Sequence, residues 1–176
     1  MGNPEKVKTT ENVDGSTDSL ININYEHHEI HSGSHFFYSD CVVLGIAGTQ
    51  QYLITTPDTE KQAHFLFSLV GSSLITLNFF EDGDRVGTTP QVIKNNNRNS
   101  VKTSTLSLHK GTGAGTTDGT DIHFDCGGGN KQTGVISRNQ EIILKSNTKY
   151  IIKVTSSVNN NSVSVNLNWY EHTPKN

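Results

Sequence analysis

The stretch Lys149-Tyr-Ile-Ile-Lys-Val-Thr155, Ser156-Ser-Val-Asn-Asn-Asn-Ser162, Val163-Ser-Val-Asn-Leu-Asn-Trp-Tyr170 decides how the chain reads. In its second arm Val163, Val165, Leu167 and Trp169 alternate with Ser164, Asn166, Asn168 and Tyr170. A period of two turns one set toward a buried face and the other toward water or a partner. In the first arm Tyr150, Ile152 and Val154 share a face, and Asn159-Asn160-Asn161 tolerates the positive φ that a reversal needs. The two arms predict a β-hairpin whose apolar face packs on a second sheet. Trp169, the single tryptophan, is expected at the centre of that packing, because an indole brings more apolar area than any other side chain.

Working outward, two more alternating runs flank a short Gly-containing loop. Phe65, Phe67 and Leu69 share a face before Gly71-Ser72-Ser73, and Ile75, Leu77 and Phe79 share one after it. This pattern reads as a second antiparallel hairpin. Shorter strands are expected at Cys41–Leu44, Gln51–Thr55, Val92-Ile93, Val101–Leu108, Thr120–Cys126, Val135-Ile136 and Glu141–Lys145, separated by Gly, Pro, Asn and Asp turns. Leu20, Ile21, Ile23 and Tyr25 read as one further short strand, and no window holds a helical period. Eight to ten short strands imply an all-β, antiparallel β-sandwich or jelly roll over residues 20–176. Residues 1–19 are polar, contain Gly15-Ser16-Thr17-Asp18-Ser19, and read as an extended N-terminal arm that orders on a partner.

Composition agrees. Leu, Ile, Val and Phe make up a quarter of the 176 residues, enough for a core, while abundant Asn, Thr, Ser and Gly suit turns more than long helices. Net charge is −3 with no run of Lys or Arg, which argues against a nucleic-acid partner, whose phosphates need cations. No apolar run is long enough to cross a bilayer as a helix, and Met1-Gly-Asn-Pro-Glu-Lys6 lacks the apolar core of an export signal. Cys41 abuts Val42 and Val43, and Cys126 falls in phase with Ile122 and Phe124, so both are expected as buried free thiols.

Several motifs invite chemistry. His27, His31 and His35 are spaced by four, so on an extended chain they point to one side and offer imidazoles to a transition metal. Ser32-Gly33-Ser34 interrupts them, and the plainer reading is a polar strand in contact with a partner. Gly111-Thr-Gly113-Ala-Gly115 is followed by a further turn, not by the helix a phosphate loop requires, and reads as a hairpin loop. Asp82-Gly83-Asp84 and Asp118-Gly119-Thr120-Asp121 offer oxygens but fall short of a calcium loop. No Gly-x-Ser-x-Gly elbow or His-Glu-x-x-His pair occurs, so no catalytic residue is assigned, no cofactor is expected, and an enzyme is the disfavoured class. Leu20, Ile23, Tyr25, His27, His31, Phe36, Tyr38 and Tyr170 are the expected partner-binding residues, since they cluster near the arm or at strand ends.

The run His31-Ser-Gly-Ser-His35-Phe-Phe-Tyr-Ser-Asp40, the segment Asn97-Arg98-Asn99-Ser100 and the terminal Leu167-Asn-Trp-Tyr-Glu-His172 resemble small tailed-bacteriophage structural proteins, specifically head decoration (cement) proteins. The likeness spans residues 27–172. It implies a jelly-roll structural protein, made in the bacterial host cytoplasm, that binds the exterior of the virion capsid at junctions of the major capsid protein. It implies no cofactor, and self-association as a trimer in preference to a dimer. A receptor- or glycan-binding jelly roll of a fibre or spike is the alternative, working through the loops Thr88–Ser100 and Gly111–Gly119. A small virion-associated hydrolase is a further alternative.

Overall fold

A computed structural model describes residues 25–111, 117–129, 133–138 and 140–174. The leading segment 1–19, Leu20, Ile23 and part of the Gly111–Gly119 loop lie outside the described residues. Among the described residues a short helix α1 (Tyr25–Ser32) precedes twelve strands. These are β1 (His35–Leu44), β2 (Thr49–Thr55), β3 (Gln62–Gly71), β4 (Ile75–Glu81), β5 (Thr89–Pro90), β6 (Lys94–Asn95) and β7 (Ser107–Gly111). They continue with β8 (Thr120–Gly127), β9 (Gly134–Ser137), β10 (Ile142–Leu144), β11 (Lys149–Ser156) and β12 (Asn161–His172).

The strands form two antiparallel sheets. The first runs β6-β1-β12-β3, with β9 and β10 sharing the far edge of β3, and the second runs β5-β7-β2-β11-β4-β8. Strands β1 and β3 both pair with β12, while β2 and β4 both pair with β11. That nesting of early strands around late ones is the wrapping of a jelly roll, with the short β5, β6, β9 and β10 and the eight-residue β8 at the sheet edges. The all-β sandwich is therefore as expected, with four very short strands added to eight principal ones.

Both expected hairpins are replaced by arches. Strand β11 hydrogen-bonds β2 and β4 in the second sheet, whereas β12 pairs with β1 and β3 in the first. The runs around Gly71-Ser72-Ser73 likewise part company, β3 to the first sheet and β4 to the second. Each pair faces across the core instead of lying side by side. Alternation fixes which side chains are buried but is blind to whether consecutive strands share a sheet.

Two inner faces meet in one core. Trp169, 1 % exposed, lies 6.0 Å from Phe65 and 6.3 Å from Phe36 between ring centroids. Phe79 closes on Phe67 at 5.9 Å and on Tyr150 at 5.6 Å. Burying the indole contributes roughly 5 kcal/mol of transfer free energy. A second, small apolar cluster of Leu53, Phe80 and Ile151 sits on the outer face of the second sheet. The turn after β4 covers it, with the Gly83 backbone against the Ile151 methyl so closely that no Cβ would fit.

Three further expectations are corrected. His27–Ser32 is helical, not extended: Gly33 takes φ +73°, its amide donates to Ile30 O at 3.0 Å, and Ser34 N donates to Glu29 O at 2.9 Å. This is a Schellman cap, and it makes Ser32-Gly33-Ser34 a helix stop where an interrupted strand was expected. Cys41 and Cys126 are both exposed free thiols. On β1 the inward positions are Phe36, Tyr38 and Leu44, which leaves Cys41 out of phase with the core. On β8 the phase is inverted as well, for Phe124 is 60 % exposed while the His123 ring lies tilted against the core ring of Phe67 at 5.7 Å. Finally, the run Val101–Leu108 is a strand only from Ser107 onward.

Candidate functional site

The outer face of the first sheet and the helix at its upper rim bring together most of the polar residues singled out in the sequence. Helix α1 is held there by a net of side chains from the segment 95–102. Asn95 Nδ2 donates to Gly33 O at 2.8 Å and Lys102 O at 3.1 Å, Asn97 Nδ2 donates to His31 O at 3.1 Å, and Lys102 Nζ donates to Ser32 O at 2.8 Å. Asn95 and Asn97 thus spend side-chain amides on carbonyls at the end of α1, while Asn96 turns its amide to His35 Nδ1. The first turn of α1 is tied to β1, where His35 Nε2 lies 3.3 Å from Glu26 Oε1. Burial holds the His35 imidazole below its ordinary value, outweighing the opposite pull of Glu26 and Glu29.

The three histidines expected to share one side do not. His27 and His31 are exposed on successive turns of α1 with Nε2 atoms 2.9 Å apart, whereas His35 is buried at the start of β1. Helical spacing brings positions i and i+4 together and carries the third histidine into the strand. Among the described residues no group of three or more His, Cys, Asp or Glu is placed to hold a metal. The Asp82–Asp84 and Asp118–Asp121 segments do meet, but around cations of the chain itself: Arg85 binds Asp118, and Lys149 reaches Asp84 Oδ1 at 2.7 Å.

The expected partner-binding aromatics turn inward. Phe36 is 3 % and Tyr38 8 % exposed, the latter donating its hydroxyl to Gln91 Oε1 at 2.9 Å. Tyr170 is also buried, its ring stacked on His64 at 4.6 Å and its hydroxyl donating to Glu141 Oε2 at 2.7 Å. Tyr25 contributes the first residue of α1.

Below the rim, the sheet face consists of rows read across β1, β12 and β3. They run Phe37–Asn168–Leu66, Ser39–Asn166–Ser68 and Cys41–Ser164–Val70, with Ser137 and Val135 of β9 extending the last two. Lys94 of β6, paired with Phe37, ends the first row with a charge, and the other residues of the three rows carry none. Ser39 Oγ donates to Asn166 Oδ1 at 2.9 Å, and Val43, Val70 and Val135 are exposed along the lower border. Sequence reasoning identified the Ser/Asn side of β12 as facing water or a partner. It did not find the matching rows of β1 and β3, which emerge only when the register is known.

A hollow of about 270 Å³ under α1 is lined by Gly33, Ser34, Phe36, Lys61, Lys102, Thr103 and Glu171. Its carboxylate is engaged in structure, accepting from Ser104 Oγ, the Thr105 amide and hydroxyl, and Trp169 Nε1. Among the described residues no helix is long and apolar enough to cross a membrane. Comparison with protein-family models, with curated proteins and with solved structures finds no match to this chain.

Proposed function

We propose that this protein is a structural virion component that binds the outer surface of a phage capsid, at junctions of the major capsid protein, and stabilises the shell. The observation that carries the reading is the uncharged face built by Ser39, Asn166, Ser68, Asn168, Ser164 and Ser137, bordered by Val43, Val70 and Val135. Such a face suits protein contact: it has amides and hydroxyls to satisfy a partner's polar groups, and desolvating it costs less than desolvating charges. Helix α1, clamped at the rim of that face, supports it too by adding exposed polar surface beside the rows. A ligand that binds the assembled shell and not its free subunits stabilises the shell by mass action, and repeated copies add avidity.

Co-sedimentation with shells that lack the protein tests this. Asn166→Lys with Ser68→Glu places charges at the centre of the face and is expected to abolish shell binding while leaving the melting temperature near that of the wild type. Removal of residues 1–19 is expected to weaken binding without unfolding the domain. Undiminished binding by both variants, or a copy number of only a few per particle, would overturn the proposal.

A further inference from the structure

Strand β8 is a bare edge of the second sheet: among the described residues it pairs with β4 and with no other strand. It is 8 residues long, whereas the strands at the other sheet edges, β5, β6, β9 and β10, have 2 to 4. A long bare edge offers unpaired amides and carbonyls to another strand, and β8 has no Pro or Lys to block one. The Cys126 amide meanwhile donates to its own neighbour, Asp125 Oδ1, at 2.7 Å. Along this edge Phe124 is 60 % and Ile122 39 % exposed. A cation without an anion stands beside it. Arg138, which follows β9, has Nη1 3.4 Å from His123 Nδ1. Among the described residues its buried Nε has no hydrogen-bond partner, and no carboxylate is placed to pair with it. A guanidinium left so is costly and points to an acceptor supplied from outside the fold.

We infer that two copies of this chain join edge to edge through β8, antiparallel about a two-fold axis at Phe124. A closed two-fold contact uses the same patch twice, so β8 must be complementary to itself. About Phe124 it is. Phe124 faces Phe124, His123 faces Asp125 of the second copy, and Ile122, beside the bulge opposite Phe79 and Phe80, comes against Cys126. Apolar side chains therefore meet at the axis, and a carboxylate arrives next to the imidazole that Arg138 already touches. That carboxylate is the anion Arg138 lacks. The incoming strand also brings backbone acceptors, which release Asp125 from the Cys126 amide. Moving the axis by one residue destroys the match. Centred on His123, the pair sets Asp121 against Asp125, and centred on Asp125 it sets that carboxylate against itself. The pair is two-fold, in place of the trimer that the sequence likeness implies. Because β8 belongs to the second sheet, pairing leaves the proposed shell-binding face of the first sheet open to its own separate test.

The experiment is analytical ultracentrifugation of the full chain, free of shells, at concentrations up to a few hundred micromolar. A species of twice the 19.3 kDa chain mass is expected. Phe124→Lys brings two ammonium groups together at the axis and is expected to give a monomer with an unchanged circular dichroism spectrum. Ile143→Lys, at a position 53 % exposed on β10, is expected to leave the dimer intact. Arg138→Gln and Asp125→Asn are each expected to weaken pairing tenfold or more, and the double variant no further than either alone. Cross-linking reads the register. In a Cys41→Ser/Cys126→Ser background, Phe124→Cys is expected to form a disulfide across the axis when diamide takes up the two thiol hydrogens. Cys41→Ser alone is expected to cross-link at least tenfold more slowly, because Cys126 stands two positions from the axis in each copy. A monomer or trimer at every concentration would overturn the inference, as would a dimer that survives Phe124→Lys. So would cross-linking through Cys126 as fast as through position 124. Additive effects of Arg138→Gln and Asp125→Asn would overturn the assignment of Asp125 as the missing anion.

Discussion

Asn161 and Ser73 are 88 positions apart, yet Asn161 Oδ1 accepts the Ser73 amide at 3.0 Å. The same oxygen accepts Ser72 Oγ at 3.0 Å, while Asn161 Nδ2 donates to Leu74 O at 3.2 Å and Ser156 Oγ at 3.0 Å. One buried amide therefore ties the β3–β4 arch to the β11–β12 arch with all its hydrogen-bonding capacity in use. Asn161→Ala leaves the Ser73 amide without its partner and the Leu74 carbonyl with the Ser157 amide alone, and is expected to cost about 2–4 kcal/mol. Asn161→Asp keeps the acceptor but loses both donations, and is expected to fall between alanine and wild type. Urea unfolding midpoints of the three proteins check the order.

This residue also shows what was legible in the sequence and what was not. Val163, Val165, Leu167 and Trp169 announced their buried face by alternation alone, and each is buried. The Asn159-Asn160-Asn161 reversal was legible as well, with Asn160 at φ 54°. A hairpin and an arch share those signals; they differ in whether the turn closes a ladder or crosses the core. That choice lies in long-range pairing, such as Val163 with Val42 and Val154 with Leu77, which no local pattern encodes. Helix α1 was missed for the opposite reason. It buries too little apolar surface to show a period, and its signal was the Gly33 stop. At the candidate site, the Ser/Asn side of β12 could be read as outward, but its neighbours Ser39 and Ser68 could not be placed beside it without the register.

Glu171 offers a sharper energetic test. Its Oε2 accepts the Thr105 hydroxyl at 2.7 Å and the Thr105 amide at 3.0 Å, and its Oε1 accepts Ser104 Oγ at 2.5 Å and Trp169 Nε1 at 3.1 Å. The carboxylate thus pins the segment before β7 over the edge of the tryptophan. Glu171→Ala removes the acceptor of the Thr105 amide and hydroxyl and of Ser104 Oγ, leaves Trp169 Nε1 only Ser104 Oγ at 3.2 Å, and is expected to destabilise by about 3–4 kcal/mol. Glu171→Gln keeps the shape and one oxygen and is expected to cost about half as much. Tryptophan fluorescence supplies a readout specific to this contact: the emission should shift to longer wavelength in the alanine variant as the indole loses its cover.

Gly33 stands at two constraints together. Its φ of +73° is unfavourable for any residue with a Cβ, and a Cβ there would run into the Ser100 side chain. Gly33→Ala is expected to cost about 2–3 kcal/mol, of which roughly 1–2 kcal/mol is the backbone penalty. Ser100→Gly in the same chain removes the collision and should recover only the remainder. Amide hydrogen exchange should localise the loss to α1 and the 95–102 segment, with β12 still protected. Uniform loss of protection across both sheets would show instead that the cap is not a local lock.

The Asp40–Tyr52 contact carries the pH dependence. Tyr52 donates its hydroxyl to Asp40 Oδ2 at 2.9 Å, and Lys110 Nζ reaches the same oxygen at 2.5 Å. Burial pushes the Asp40 carboxyl up, but the hydrogen bonds from Lys110 and Tyr52, the Lys110 charge and the Cys41 amide together hold it below the ordinary value of 3.8. A depressed carboxyl stabilises the fold above the unfolded value, and that contribution is lost as pH falls through the folded one. Wild type should therefore exceed Asp40→Asn in stability near neutrality, and the two should converge as pH falls below 3.8. Tyr52 works on the alkaline side. Burial and the Asp40 carboxylate push its phenol far above the ordinary 10.0, so the unfolded chain releases the proton first. Stability should then decline as pH rises past 10.0 in wild type and decline less in Tyr52→Phe. Urea midpoints across the acid and alkaline limbs test both halves, and parallel curves for wild type and Asp40→Asn at every pH would refute the assignment.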